Sequence, residues 1–188
     1  PLTVEGRPLA GVEWTLPVAS AQLKSAVLLA ALRARGVTRV HEPLASRDHT
    51  ERMLGHFGVP IARGPGWVEV AGGGRLTGSV VPLPGDISSA AFLVVAGLLV
   101  PGSEVWLPDV GVNPTRTGII AILRRMGATV ELSSAREAAG EPRADLIVRG
   151  ARLRGTVIGA TEVPAAIDEL PIVCVAAALA EGKTVITG

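Results

Sequence analysis

One stretch decides the fold that we predict for this chain: residues 17–36, PVASAQLKSAVLLAALRARG. The triplet Ser20-Ala21-Gln22 precedes a segment that is apolar on almost every side and ends at Gly36. A helix without a polar face must be buried, and its first amide hydrogens lie unpaired at the positive end of the helix dipole. With a hydroxyl and a carboxamide beside them, these amides can bind an anion. Taken alone, Ser20 is more simply explained as a helix N-cap.

The same pattern, polar residues before an apolar helix that ends at a glycine, occurs twice more. It recurs at residues 86–102 and 167–182. The helix-closing glycines are Gly36, Gly102 and Gly182, and aligning them makes Gln22, Ser88 and Asp168 equivalent. An amphipathic helix follows each of the first two apolar helices, and aligning their final residues, Gly58 and Gly127, pairs Arg47 with Arg116. In the first of these helices, Asp48 and Glu51 have the spacing of a capping box.

These repeats predict an α/β protein with two and a half copies of a β-α-β-α-β-β unit. Each apolar helix would be interior, the amphipathic helices would lie outside, and several helix starts would converge on one cleft. Repeats of this length are too long for common solenoids, which favours a few copies around a shared axis. The alternative, that all three polar starts only cap their helices, stays open.

Composition excludes several classes of protein. The 188 residues are 48% apolar and 19% charged, as expected of an ordered globular chain. Lys and Arg number 18 against 17 Asp and Glu, without a basic block, and aromatic residues are 3%, so neither nucleic acid nor an anionic membrane is an expected partner. The apolar runs are shorter than the roughly 18 residues of a membrane span, and we expect a cytoplasmic protein.

One cysteine builds neither a disulfide nor a zinc site, and Cys174 is expected to be a small core residue. The abrupt start at Pro1 and the end at Gly188 suggest a piece of a longer protein.

Five segments, in this order and at this spacing, resemble the EPSP synthases, members of the enolpyruvyltransferase family. They are PVASAQLKSA (17–26), SRDHTERML (46–54), PGDISSA (84–90), NPTRTG (113–118) and IDELP (167–171). The resemblance implies two lobes, each an inside-out α/β barrel of three repeated βαβαββ units with buried helices, and an active site in the cleft. Residues 1–82 would then belong to the first lobe, on the shikimate 3-phosphate side, and 83–188 to the second, incomplete in this chain.

The resemblance also implies a reaction: transfer of the enolpyruvyl group of phosphoenolpyruvate to the 5-hydroxyl of shikimate 3-phosphate, without a metal or organic cofactor. Glyphosate would be an inhibitor, and the protein a monomer. By the same resemblance, Ser20, Ala21, Gln22 and Arg47 bind shikimate 3-phosphate, and Gln22 also reaches phosphoenolpyruvate. Asp168 would be the catalytic residue that takes the 5-hydroxyl proton, although from the residues alone it is as readily a helix cap.

Several other polar residues have structural explanations, and two other functions are compatible with the sequence. Lys24, His49 and Arg116 are expected to be structural, and Asp86 and Ser88 to support the lobe crossover. One alternative function is UDP-N-acetylglucosamine enolpyruvyl transfer, and another is a non-catalytic half-site or structural fragment. Because segments that the family uses for phosphoenolpyruvate are absent, we expect the isolated chain to be inactive.

Overall fold

A computed structural model describes residues 2–187, which form two compact units. Unit 1 ends at Val80 and unit 2 begins at Val81. The elements of unit 1 are β1 (Leu9–Ala10), β2 (Glu13–Thr15), α1 (Ala21–Ala31), β3 (Ala34–Arg35), β4 (Val37–His41), α2 (His49–His56), β5 (Ile61–Gly64) and β6 (Trp67–Ala71). Those of unit 2 are α3 (Ile87–Leu99), β7 (Glu104–Gly111), α4 (Gly118–Arg125), β8 (Val130–Ala138), β9 (Glu141–Arg149), β10 (Val157–Ile158), α5 (Leu170–Ala178) and β11 (Val185–Ile186), with short 3-10 helices at Val163–Ala165 and Ile167–Glu169.

The strand pairing confirms the predicted repeat. In unit 1 the sheet order is β2-β4-β6-β5, with β2 parallel to β4 and antiparallel pairing elsewhere. In unit 2 the order is β7-β9-β8, also antiparallel, and a parallel bridge from Gly85 to Val110 takes the place of the β2 pairing. The third, partial copy consists of parallel strands β10 and β11 on either side of α5. Each repeat therefore has the predicted order of elements.

The helix ends also follow the sequence pattern. The Ser20 hydroxyl accepts a hydrogen bond from the Leu23 amide at 3.3 Å, and the Asp86 carboxylate accepts one from the Ser89 amide at 2.8 Å. Both caps are in extended backbone conformation, which is typical of N-caps. The five glycines that close the repeat helices all have positive φ, a conformation that favours glycine: Gly36, Gly58, Gly102, Gly127 and Gly182.

Each unit has its own apolar core. In unit 1, α1 contributes Leu28 and Ala31 to a core that includes Val40 and Leu54. In unit 2, seven of the 13 residues of α3 are buried, against three of 11 in α1. The apolar helices are thus covered on one side within residues 2–187, while apolar side chains such as Leu29 and Phe92 are 49% and 56% exposed.

Two details of the sequence-based prediction are wrong. Asp48 is the N-cap of α2, but its side chain makes no capping hydrogen bond and instead accepts one from Arg52 Nε at 2.8 Å. Glu51 does not complete a capping box either, because the ammonium group of Lys24, 2.8 Å away, attracts its carboxylate. Cys174 is exposed, since on α5 it lies on the face opposite the buried residues Ile172, Val173 and Ala176.

Candidate active site

The start of α1 carries three of the predicted binding residues. Ser20 and Ala21 are half-buried, and Gln22 is exposed. The Ser20 hydroxyl lies 3.4 Å from the Gln22 carboxamide oxygen, so the two polar side chains are neighbours at the end of the helix. The first amides of an α-helix have no acceptor within the helix, and the dipole adds partial positive charge there. This end of α1 therefore offers donors of the kind that a phosphate needs.

Arg47 belongs to the same unit, and the residue before it is hydrogen-bonded to α1. It precedes the Asp48 cap of α2 and is half-buried. The carbonyl of the preceding residue, Ser46, accepts a hydrogen bond from Lys24 Nζ at 3.5 Å, and Lys24 lies one turn into α1. The predicted site residues of unit 1 thus come from two elements that a direct contact joins.

Unit 2 brings the starts of three helices together. The Ser88 hydroxyl, at the start of α3, donates to the Glu169 carboxylate at 2.5 Å, just before α5. The same hydroxyl accepts from Arg116 Nη2 at 2.6 Å, just before α4, and this nitrogen lies 3.2 Å from Asp86 Oδ1. Helix starts therefore converge within this unit, as the sequence predicts.

Asp168 lies next to this cluster in the chain. It is exposed and is the middle residue of a 3-10 helix, whereas its neighbour Glu169 is 3% exposed. The cap positions of this turn and of α5 are Ala166 and Glu169, not Asp168. The capping role considered from the sequence is therefore not what the structure shows, and the Asp168 carboxylate is at a solvent-accessible surface.

The Asp86 carboxylate shows that such a helix start stabilises a negative charge. Burial raises the pKa of Asp86, but the hydrogen bonds from Ser89 and the charge of Arg116 outweigh burial, so its pKa lies below the usual value. The Ser89 hydroxyl adds a hydrogen bond to Asp86 Oδ2 at 2.9 Å. Backbone and side-chain donors with one guanidinium thus stabilise a negative charge here.

Sequence reasoning missed several charged residues near these sites. Glu42 lies outside the quoted motifs. Glu51 and Glu169 lie within them, but their pairing is not apparent from the sequence because their partners are distant in the chain. Arg143 is 6% exposed, forms a bidentate contact with Asp109, and donates to the carbonyls of Pro82 and Leu83 at 3.2 and 3.3 Å. These contacts hold Pro82 and Leu83, at the beginning of unit 2, against β9.

A groove of about 270 Å³ runs along the C-terminal half of α1. Its lining is aliphatic apart from Thr38, so it does not suit a phosphorylated substrate. Among residues 2–187, no three His, Cys, Asp or Glu side chains are grouped closely enough to hold a metal ion. In the same range, helices long and apolar enough to cross a bilayer are absent.

Known proteins share both the sequence pattern and the fold of this chain. The family model described as EPSP synthase (3-phosphoshikimate 1-carboxyvinyltransferase) matches residues 1–188. The 3-phosphoshikimate 1-carboxyvinyltransferase of Geobacter sulfurreducens is 59% identical over 186 residues, which are 99% of this chain and 43% of that protein. The EPSP synthase structure from Acinetobacter baumannii has a TM-score of 0.88 at 48% identity, covering 97% of this chain and 41% of that one.

A more distant structure shows how widely the fold is shared. The enolpyruvyl transferase NikO from Streptomyces tendae has a TM-score of 0.65 at 19% identity and covers 97% of this chain and 46% of that one. The fold and the helix-start sites thus define an α/β protein with the architecture of enolpyruvyl transferases. More narrowly, the chain belongs to the EPSP synthase family. It spans about 43% of the length of the curated relatives that it matches.

Proposed function

We propose that the protein containing this chain transfers the enolpyruvyl group of phosphoenolpyruvate to the 5-hydroxyl of shikimate 3-phosphate. The products would be 5-enolpyruvylshikimate 3-phosphate and phosphate. Family membership supports this reaction over transfer to UDP-N-acetylglucosamine, the alternative that the sequence left open. We further propose that unit 1 is part of the lobe that binds shikimate 3-phosphate and that unit 2 is part of the lobe with the catalytic aspartate. The division at Val80 lies two residues before the boundary expected from the sequence.

The observation that carries the proposal is the anion already present in the second repeat. Asp86 places a carboxylate at the start of α3, where Ser89 and Arg116 hold it. The equivalent of Asp86 in unit 1 is Ser20, which is neutral, and the equivalent of Arg116 is Arg47. The same helix start and the same arginine position therefore occur in unit 1 without the carboxylate at the cap. An anionic group of a ligand would complete this arrangement.

Each binding residue then has a distinct role. The Ser20 hydroxyl, the Ala21 amide and the Arg47 guanidinium would bind shikimate 3-phosphate. Gln22 would contact the same substrate through its carboxamide and reach phosphoenolpyruvate. A planar guanidinium suits a phosphate because it can donate two parallel hydrogen bonds.

Asp168 would act as the general base. The Asp168 carboxylate would accept the proton of the 5-hydroxyl as that oxygen bonds to C2 of phosphoenolpyruvate and the methylene carbon takes up a proton. Loss of phosphate from C2 and of one proton from the methyl carbon would then restore the double bond. Proton transfer of this type requires a carboxylate that substrate can reach, and Asp168 is exposed. Its buried neighbour Glu169, bonded to Ser88, fixes the turn on which Asp168 lies.

Four further properties are proposed on family resemblance alone. The protein would act in the cytoplasm as a monomer, and glyphosate would inhibit it. The reaction would need no metal or organic cofactor.

A steady-state assay of phosphate release by the complete protein tests the proposal. With phosphoenolpyruvate present, shikimate 3-phosphate should support turnover, and UDP-N-acetylglucosamine should not. Turnover only with the nucleotide sugar would assign the sister reaction. Calorimetric binding of shikimate 3-phosphate without any turnover would indicate a non-catalytic half-site.

The 188-residue chain alone gives a second test. We expect no turnover from it, because it spans less than half the length of its curated relatives. Phosphate release by the purified chain would contradict that expectation.

A further inference from the structure

A fully buried lysine lies behind the candidate phosphate site. Lys24 is 0% exposed, and its Nζ lies 2.8 Å from Glu51 Oε1 and 3.0 Å from Glu42 Oε1. Glu42 Oε2 in turn accepts hydrogen bonds from Ser46, at 2.6 Å from its hydroxyl and 3.2 Å from its amide. These residues join α1, the end of β4, the loop before α2, and α2 itself. We call them the Lys24 network.

Burial of this charge is not an efficient way to stabilise a fold. Removing an ammonium and two carboxylates from water costs several kcal/mol per ion, and well-packed apolar residues often do as well or better at such positions. Glu51 Oε2 is buried without a hydrogen-bond partner, which adds to the cost. Stability alone therefore gives no reason for a lysine here.

The second repeat confirms that the fold does not need these charges. The glycine alignments, 66 residues for the first helix and 69 for the second, place Ala90 at the position of Lys24 and Ile120 at that of Glu51. Ala90 and Ile120 are 9% and 4% exposed and belong to one apolar core. Apolar packing thus joins α3 to α4 at the positions where an ion pair joins α1 to α2.

A second pair of equivalent positions on these helices is also polar in unit 1 and apolar in unit 2. The hydroxyls of Ser25 and Thr50 are 2.6 Å apart in unit 1. Their equivalents in unit 2 are Ala91 and Ile119, both 1% exposed. Two adjacent contacts between the same pair of helices are therefore polar in the first repeat and apolar in the second.

We propose that Lys24, Glu42 and Glu51 are positioning residues for binding of shikimate 3-phosphate, an inference that depends on the proposed function. Through Ser46 they hold the backbone next to Arg47, and through Lys24 they fix that backbone to the helix that begins with Ser20 and Gln22. Directional ionic contacts define a distance and a register, which apolar packing leaves looser. The network thus sets the spacing between the guanidinium and the helix start before substrate arrives, which lowers the cost of binding.

The test replaces the ion pair with the apolar packing that unit 2 uses. In the complete protein, the double variant Lys24→Met, Glu51→Leu should still fold, because Glu42 keeps its hydrogen bonds from Ser46. Its dissociation constant for shikimate 3-phosphate, measured by calorimetry, should rise about tenfold or more. Hydrogen exchange of the backbone amides of residues 46–51 should also become faster. Wild-type affinity in a folded double variant would overturn the proposal.

A core variant in the same unit is the matched control. Leu54 is 2% exposed and lies outside the network, so Leu54→Ala should lower the melting temperature with little change in affinity for shikimate 3-phosphate. A merely structural role for Lys24 would make the two variants behave alike.

Two further results keep the proposal testable. If the double variant does not fold, Ser46→Ala removes only the hydroxyl contact to Glu42, and an unchanged dissociation constant for this variant would overturn the proposal. If the unmodified protein does not bind shikimate 3-phosphate, the proposed function fails. In that case, unchanged exchange of residues 46–51 in the double variant would also refute the positioning role.

Discussion

The starts of α1 and α3 are copies of one structure that differ in charge. At the start of α3, Asp86 supplies a carboxylate that Ser89 and Arg116 bind. At the start of α1, the corresponding cap is the neutral Ser20, and the corresponding arginine is Arg47. The second repeat therefore has a carboxylate of its own at the helix start, whereas the first has a neutral cap.

The contacts between each apolar helix and the amphipathic helix that follows it also differ, but here the charged residues are in unit 1 and the apolar ones in unit 2. Unit 2 packs Ala90 and Ile120 in an apolar core, and unit 1 buries Lys24 and Glu51 at the same positions. The comparison shows that the same order of helices and strands accommodates charged contacts at these positions in one repeat and apolar contacts in the other.

The largest effect is expected at the third copy of the same position, where Asp168 corresponds to Ser88. In the complete protein, Asp168→Asn removes the base and should lower kcat about 100- to 10,000-fold, the range typical of general base catalysis. Binding of shikimate 3-phosphate should persist, as measured by calorimetry. A kcat close to that of the wild type would mean that Asp168, like Ser88, is only structural.

The next largest effect should distinguish Arg47, a binding residue, from Arg116, a structural one. Arg47→Met should weaken shikimate 3-phosphate binding about 10- to 100-fold, since a hydrogen bond to a charged group contributes about 1.5–3 kcal/mol. Melting temperature should change little. Arg116→Met should instead destabilise unit 2, because Asp86 and Ser88 lose a partner, and hydrogen exchange in α3 and α5 would detect this. If Arg47→Met destabilised unit 1 without weakening binding, and Arg116→Met weakened binding without destabilising unit 2, the proposed difference between the two arginines would be wrong.

A smaller effect is expected at the cap of α3. Asp86→Ala removes the hydrogen bond to the Ser89 amide and should lower the free energy of unfolding by about 1 kcal/mol. Asp86→Ser, which copies the cap of α1, should lose less because serine also caps helices. Equal losses for the two variants, measured by hydrogen exchange within α3, would show that capping is not the contribution of Asp86.

The smallest effect is a dependence on pH. The pKa of Asp86 is lowered in the folded chain, so its ionised form adds stability above its unfolded pKa of about 3.9, and this contribution disappears as pH falls through the folded pKa. Asp86→Asn keeps a capping side chain without the charge. The stability difference between wild type and this variant should therefore shrink between pH 6 and about pH 3. A constant difference would show that the charge is not involved.

Much of the fold could be predicted because the repeat appears in the sequence three times. Apolar helices that end at glycines of positive φ, and polar caps at Ser20 and Asp86, are local features with local causes. The failures have distant causes. The capping box at Asp48 failed because Glu51 pairs with Lys24, which is 27 residues earlier and lies on another helix.

The candidate site was predictable only in part for the same reason. Ser20, Gln22 and Arg47 occur in motifs, and so do Lys24 and Glu51, but the sequence does not show that Lys24 pairs with Glu51 and Glu42. Glu42 and Glu169 became recognisable when the fold brought them to Lys24 and Ser88. Complete burial of the apolar helices was expected from their composition, yet within residues 2–187 each is covered on one side.

Calorimetric titration of shikimate 3-phosphate into two variants of the complete protein tests the central claim most directly. Ser20→Asp copies the carboxylate of α3 into α1, and Ser20→Asn is its neutral control of the same shape. Both residues cap helices well, so both variants should fold. If the start of α1 binds the substrate phosphate, Ser20→Asp should bind about tenfold or more weakly than Ser20→Asn, because only the aspartate adds a negative charge beside the phosphate. Equal affinity of the two variants would contradict the account.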